Sequence, residues 1–259
     1  MTLIRKVLLA GFMASTMAGA VHAEDKVIRF GSDATYAPFE YMNAEGEVIG
    51  FDIDIAKAMC ERMKAKCTFQ NQAWDGIIPA LRAKKFDVIA SSMSITPERQ
   101  KAVAFTKMIW NSPNPLVGKK GATAQPTVEG TKGKVIGVQQ ATIQDRYATK
   151  YFKDAQIKRY KTFDDALNDL VLGRVELVFC DVGVGDEFLK SSKGADFEFI
   201  GDAVLSKDDP EIFGVGTGFA VRKQDKELLE SLNKAFDEVR ADGTYDKIQK
   251  RYFKVDMYQ

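Results

Sequence analysis

Short apolar runs alternate along the chain with longer stretches whose apolar residues fall three or four positions apart. That is the pattern of buried strands joined by amphipathic helices. Residues 26–31, with Val27, Ile28 and Phe30, predict a first strand, and 32–39 a loop at its carboxyl end. The turn at 43–46 predicts a hairpin with arms 39–42 and 48–49. Phe51, Ile55, Met59 and Met63 share one stripe of a helix over 51–63. Further strands are predicted at 67–71, 88–90, 116–118, 135–138, 156–160, 175–180 and 197–200. Between them the pattern predicts a helix from an Asp75 cap through Ala83, one from Pro97 behind a Thr96 cap, one over 143–151, and one capped by Thr162 and ended by Gly173. Residues 119–134 read as a polar connector and 213–221 as a glycine-rich strand. A long helix over 226–241 and a short one ending near Tyr252 complete the chain.

The stretch 87–99 organises this pattern. Val88, Ile89 and Ala90 form a run suited to burial on both faces, and it opens directly into Ser91, Ser92, Ser94 and Thr96, with Arg99 close behind. Ligands of open α/β sheets bind outside the carboxyl ends of strands. An arginine fork there suits a carboxylate. Two weak internal echoes point to two lobes of one kind. Lys26-Val27-Ile28 matches Lys134-Val135-Ile136, and aligning 80–92 with 171–181 sets Asp87 against Glu176 and Ser92 against Asp181. Strands alternating with helices argue for mainly parallel sheets. Asp33 with Tyr36, Ser91 to Arg99, and Thr142 with Asp181 are the polar groups at strand ends. If the lobes face each other, these converge: Arg99 and the N–H groups near Ser94 and Ile143 suit a carboxylate, Asp181 an ammonium, and Asp33 a second cation. Tyr36 and Trp74 could cover the ligand side chain. Equally, Asp33 and Asp181 could be loop or cap residues, and Tyr36 and Trp74 core. Asp87 and Glu176 suit strand starts at the surface better than a catalytic pair.

Composition narrows the function. Arg5 and Lys6, the apolar run 7–13 and Val21-His22-Ala23 form the pattern of an export signal cleaved after Ala23, and the run is too short for a membrane anchor. Cleavage leaves 236 of 259 residues and removes the single histidine, His22. Histidine-based nucleophile systems and histidine metal sites go with it, so no metal or cofactor is expected. With Arg5 and Lys6 lost, 35 basic residues stand against 36 acidic ones, a balance that does not suggest nucleic acid as a partner. Cys60 and Cys67, between a helix and the next strand, read as a local disulfide in an oxidising compartment, a metal clip being the lesser alternative. Cys180 reads as a buried, inert thiol.

Several segments carry a resemblance: Thr35-Tyr36-Ala37-Pro38-Phe39-Glu40, Gly50-Phe51-Asp52-Ile53-Asp54, Gly76-Ile77-Ile78-Pro79-Ala80-Leu81, Ser91-Ser92-Met93-Ser94-Ile95-Thr96 with Arg99, Phe213-Gly214-Val215-Gly216-Thr217-Gly218, and Arg240-Ala241-Asp242-Gly243-Thr244-Tyr245. Through them the chain resembles the periplasmic lysine/arginine/ornithine- and histidine-binding proteins of polar amino acid ABC transporters. The resemblance implies an α/β two-lobed clamshell with two hinge crossovers, a monomer that buries an amino acid between its lobes and passes it to an inner-membrane permease. Its lobes would be 24–110 with 215–259, and 115–205, hinged at 111–114 and 206–214. Carried over by position, Asp33 meets the cationic side-chain end and Tyr36 and Trp74 sandwich the stem. Ser91, Ser92 and Ser94 give backbone and hydroxyl contacts, and Arg99 binds the α-carboxylate. Thr142 and Ile143 contribute at a helix start, Gln144 lies near the side chain, and Asp181 binds the α-ammonium. Cys60 and Cys67 match the family disulfide. The chain departs from the family pattern at Gln139 (commonly aliphatic), Ala141 (glycine), Ile143 (threonine) and Trp74 (phenylalanine or leucine). Gln139 and Trp74 change the polarity and volume around the ligand side chain. A receptor for a larger cationic derivative such as an opine, with Gln139 reading the extra group, stays open. So do a sensory role and a periplasmic dehydratase of the same fold, although that enzyme would need an apolar ring pocket and a poised acid.

Overall fold

The computed structural model describes residues 27–258. The expected export signal and its cleavage after Ala23 lie outside the described residues. Two five-stranded sheets carry the chain, and their layouts match. The first runs in the order Lys66–Asn71, Val27–Ser32, Val88–Ile89, Ala220–Val221, Ala104–Phe105. The second runs Gln156–Tyr160, Val135–Gln139, Leu177–Phe179, Asn114–Lys119, Phe197–Val204. In each, three parallel strands in the order second-first-third are extended by two strands joined through antiparallel pairings, the inner of which runs against the other four. That reversed strand lies beside the third parallel strand and reaches its sheet directly from the other lobe. The parallel core is the one the strand–helix alternation predicts. The reversed strand of each sheet comes from the chain crossing between lobes, which no local pattern reports.

The sequence echoes have a structural counterpart. The N–H of Asp87 donates to the Arg29 carbonyl and that of Glu176 to the Val135 carbonyl. Each carboxylate in return accepts the backbone N–H of the same residue, Arg29 and Val135. Asp87 also takes the Arg29 guanidinium, and Glu176 the Lys134 ammonium. Both acids therefore fasten strand starts at the ends away from the cleft.

Most predicted elements are present within a residue or two. On helix Phe51–Arg62 the predicted stripe is buried at Phe51, Ile55 and Met59, in one core with Leu232, Ala235, Phe236 and Val239 of helix Lys226–Ala241. Thr96 caps helix Pro97–Ala102 by accepting the Arg99 N–H. Four expectations are corrected. Asp75 caps nothing: it lies in a 3-10 turn, Trp74–Gly76, and helix Ile77–Arg82 starts without a side-chain cap. The connector 119–134 contains a short helix, Val128–Thr131, capped by Thr127. Strand Asn114–Lys119 starts two residues before the predicted 116–118, because Pro115 can still accept through its carbonyl, from the Cys180 N–H. Of the strand expected at 213–221, only Ala220–Val221 pairs in the sheet. Phe213 ends helix Pro210–Phe213, and Gly214 and Gly216 then take positive φ. A Cβ on Gly214 would lie 2.0 Å from the Ile95 carbonyl oxygen, so a glycine is needed where this segment crosses.

Helix Val182–Lys190 has no counterpart in the sequence reading. Its start, Val-Gly-Val-Gly, has poor helix propensity. Packing explains the glycines: Cβ atoms at Gly183 and Gly185 would meet the Phe39 ring at 2.8 Å and the Phe199 ring at 2.6 Å. Phe39 also stacks on Trp110, with ring centroids 4.1 Å apart. Thus an aromatic from the first lobe packs against the start of a second-lobe helix. Cys180 is buried and free, as expected. No helix of the described residues is long and apolar enough to cross a membrane.

Cys60 and Cys67 form a disulfide between helix Phe51–Arg62 and strand Lys66–Asn71, at the end of the sheet away from the cleft. It closes a loop of sequence separation 7. Constraining the unfolded chain with so short a loop contributes about 2–3 kcal/mol on the chain-entropy account. Replacing both cysteines with serine should lower the urea unfolding free energy by that order and leave ligand affinity nearly unchanged. An unmoved urea midpoint would contradict this.

Candidate functional site

In a second-first-third strand order, a crevice opens between the carboxyl ends of the first and third strands. Both sheets place their polar residues there. Asp33 follows Val27–Ser32 and Ser91 follows the Val88–Ile89 strand, while Gln139 ends Val135–Gln139 and Asp181 follows the Leu177–Phe179 strand. The two crevices meet in one cavity. All twelve residues singled out from the sequence line it: Asp33, Tyr36, Trp74, Ser91, Ser92, Ser94, Arg99, Gln139, Thr142, Ile143, Gln144 and Asp181. The structure adds Glu40.

Asp181 occupies the N-cap position of helix Val182–Lys190, but its side chain does not cap the helix. It turns into the cleft. There it accepts hydrogen bonds from the Tyr36 hydroxyl at 2.6 Å, from Ser112 Oγ at 3.1 Å and from Gln144 Nε2 at 3.1 Å. Burial pushes its carboxyl up, and these three donors act against the shift. Asp33 is held from both lobes. Its backbone N–H donates to Ser91 Oγ at 2.8 Å, and its carboxylate accepts from Gln139 Nε2 at 2.7 Å and Thr35 Oγ1 at 3.2 Å. Burial pushes the Asp33 carboxyl up to about 6, with the Gln139 and Thr35 bonds holding it back.

Arg99 reaches the cavity from helix Pro97–Ala102. Its Nη1 donates to the Ser94 carbonyl at 3.1 Å, and its guanidinium lies over the Trp74 ring, 5.0 Å from the centroid. Trp74 therefore braces the arginine as well as walling the cavity. Burial, followed by the nearby Arg146 charge, lowers Arg99 to about 10. Opposite it, Thr142 caps helix Ile143–Tyr151 through the Asp145 N–H and donates its own hydroxyl to the Gln139 carbonyl at 2.7 Å. Ile143 thus stands in the first turn, where N–H groups lack helical partners. Ala141 holds φ at 60°, a left-handed conformation that costs an L-residue about 1 kcal/mol and a glycine nothing.

A layer of acids beneath the cavity fixes the serines. Glu40 accepts from Ser92 Oγ at 2.9 Å and from Ser91 Oγ at 3.4 Å. Asp52 accepts the Ser92 N–H at 2.9 Å and Trp110 Nε1 at 2.8 Å, holding Ser92 at φ 48°. Burial first, and then the Asp52 charge, pushes Glu40 well above the usual carboxylate range, and burial pushes Asp52 to about 7. Sequence reading quoted both acids in motifs but gave them no role. The only local signal was an acid next to apolar residues in Pro38-Phe39-Glu40-Tyr41 and Gly50-Phe51-Asp52-Ile53. Farther out, Gln140 Nε2 donates to Asp75 Oδ2 at 2.8 Å and Arg146 pairs with Glu98, two further contacts between the lobes. The described residues contain no group of acids, cysteines and histidines arranged to hold a metal ion.

Residues 28–255 match the family model of bacterial extracellular solute-binding proteins, family 3. The chain is 46% identical to the histidine-binding periplasmic protein of Salmonella typhimurium, over 97% of this chain and 96% of the relative. It is 42% identical to the lysine/arginine/ornithine-binding periplasmic protein of Escherichia coli, over 94% of each. Among solved structures, it is similar to a Salmonella typhimurium periplasmic binding protein described for its high arginine specificity. The TM-score is 0.82 at 36% identity, covering 88% of this chain and 100% of that one.

The buried acids set a pH dependence. Asp33 at about 6 and Asp52 at about 7, with Glu40 and Asp181 also raised, bind protons more tightly folded than unfolded. The stability they contribute is fully present below their unfolded pKa values and is lost as pH rises through 6 and 7. Carboxylates held low, such as Asp242 at about 2, lose their contribution only in more acid solution. Without amino acid, the melting temperature should therefore rise between about pH 8 and pH 5. A flat or falling profile across that interval would show that these acids keep ordinary pKa values in the fold.

Proposed function

The chain belongs to family 3 of the bacterial extracellular solute-binding proteins, and from that we propose that it captures a cationic L-amino acid (arginine, lysine, ornithine or histidine) between its two lobes. It is a periplasmic binding protein rather than an enzyme, and it serves an ABC transporter in the membrane. The observation that carries the ligand class is the charge layout of one cavity. Arg99 and Asp181 act on each other electrostatically, whereas the charged neighbours of Asp33 are the acids Asp75, Asp164 and Glu40. A zwitterionic head belongs at the first pair and a cation at the second. Arg99, with N–H groups near Ser94 and Ile143, holds the α-carboxylate, and Asp181 the α-ammonium. Asp33 takes the distal charge, with Tyr36 and Trp74 along the stem and Ser91, Ser92, Thr142 and Gln144 completing the wall. The relatives named for histidine and for lysine, arginine and ornithine favour this reading over an opine receptor or a dehydratase.

In the same proposal the export signal is removed after Ala23 and the protein works as a monomer. Its lobes, 24–110 with 215–259 and 115–205, turn about 111–114 and 206–214. The contacts between Gln140 and Asp75 and between Arg146 and Glu98 support a closed form of that movement.

A thermal-shift screen of the mature protein tests the ligand class. A cationic amino acid at 100-fold above its dissociation constant adds about 2.7 kcal/mol of stability. Arginine, lysine, ornithine or histidine should raise the melting temperature, and glutamate and aspartate should not. A response confined to acidic or neutral amino acids would overturn the assignment.

Calorimetric titration with arginine and glutamine separates anchor from selector. Arg99→Ala or Asp181→Ala should weaken both ligands by several kcal/mol, about 3–5 for a buried charge left unpaired. Asp33→Asn should weaken arginine and spare glutamine. An unchanged arginine-to-glutamine ratio in Asp33→Asn would remove Asp33 as the selector.

A further inference from the structure

Gln139 is 5% exposed and ends strand Val135–Gln139 with its side chain on the cavity. A primary amide has two N–H donors and one carbonyl acceptor. Both donors are committed: Nε2 donates to Asp33 Oδ2 at 2.7 Å and to the Lys161 carbonyl at 3.1 Å. Two acceptors on that nitrogen dictate which way the amide points, so Oε1 cannot exchange places with it. Among the described residues nothing donates to Oε1, and it is not among the polar atoms sealed in the interior. With Nε2 turned to Asp33 and Gln139 lining the same cavity, Oε1 is the acceptor that the amide has left for a bound molecule. Asp33 itself accepts one hydrogen bond on each oxygen, from Thr35 and from Gln139, and keeps lone pairs free.

We propose that Gln139 is a specificity-determining residue: with Asp33 it forms a two-acceptor unit that favours a ligand head with a planar fork of N–H groups, a guanidinium, over an imidazole. The inference rests on the cationic amino acid reading of the cleft. A guanidinium offers five N–H donors in one plane and satisfies the carboxylate and the amide carbonyl together. An imidazole has one N–H on each side of its ring at most, so it reaches one of the two acceptors and leaves the other unpaired in a closed cleft. The acids that act electrostatically with Asp33, namely Asp75, Asp164 and Glu40, favour a cation at this end but do not distinguish its shape. Discrimination by shape falls to the amide.

The test compares arginine and L-histidine by calorimetry at one pH and salt concentration, in the wild type, Gln139→Met and Gln139→Glu. Met keeps the length and removes the acceptor. Glu keeps an acceptor toward the ligand and drops the donor. The wild type should prefer arginine. Gln139→Met should lower the arginine-to-histidine affinity ratio about tenfold or more, as expected for a lost hydrogen bond to a charged group. Gln139→Glu should hold that ratio near the wild-type value. That recovery separates ligand reading from mere support of the strand end, since both variants lose the amide bonds to Asp33 and Lys161. A ratio unchanged in Gln139→Met, or lowered alike in both variants, overturns the proposal and leaves the cleft assignment standing. A wild type that binds neither amino acid overturns the cleft assignment itself.

Discussion

A carboxylate taken out of water must be given hydrogen-bond donors or a cation, or it gives up its charge. Four carboxylates in or beneath this cavity meet that demand, and much of the architecture around the cleft follows from how. Asp181 draws donors from Tyr36 in the first lobe, from Ser112 on the crossing segment and from Gln144 in the second lobe. Asp33 draws on Thr35 in its own lobe and on Gln139 in the other. Each thus binds a group from the opposite lobe, so the approach of the lobes and the solvation of the site are one problem. Glu40 and Asp52 meet the same demand within the first lobe, and in doing so they set the Ser91-Ser92 turn.

The donors around these acids are neutral, apart from the more distant Arg99. Hydroxyls and amides orient a buried carboxylate without cancelling its charge, which is what a site for a cation requires. An internal ion pair at the same place would compete with the ligand. Arg99 shows the complementary arrangement: a carbonyl and an aromatic face support it, and its planar fork stays available to an anion.

Much of this was legible in the chain, for identifiable reasons. The crevice residues lie where apolar runs break into polar ones, and that boundary is local in sequence: Asp33 after Phe30-Gly31-Ser32, Ser91 after Val88-Ile89-Ala90, Asp181 after Val178-Phe179-Cys180. Features decided by distant contacts were not legible. Helix Val182–Lys190 was hidden by glycines that exist to admit Phe39 and Phe199. The segment 213–221 has strand composition, but positive φ at Gly214 and Gly216 spends most of it on a crossing. Asp75 has the look of a cap, yet its carboxylate serves Gln140 of the other lobe. Glu40 and Asp52 read as ordinary acids in motifs, because their roles depend on serines 40 to 52 residues away.

The crossing strands also bear on the order in which the molecule can be finished. The second sheet uses one uninterrupted run of chain, from Asn114 to Val204. The first sheet is interrupted by all of it: strand Ala220–Val221 must insert between Val88–Ile89 and Ala104–Phe105. A chain emerging from its amino terminus therefore holds every strand of the second sheet while the first still lacks an interior strand. Until residue 220 arrives, Val88–Ile89 has an open edge beside the Ser91–Ser92 turn, and half of the cleft has no settled wall. The lobe that begins first is the one completed last.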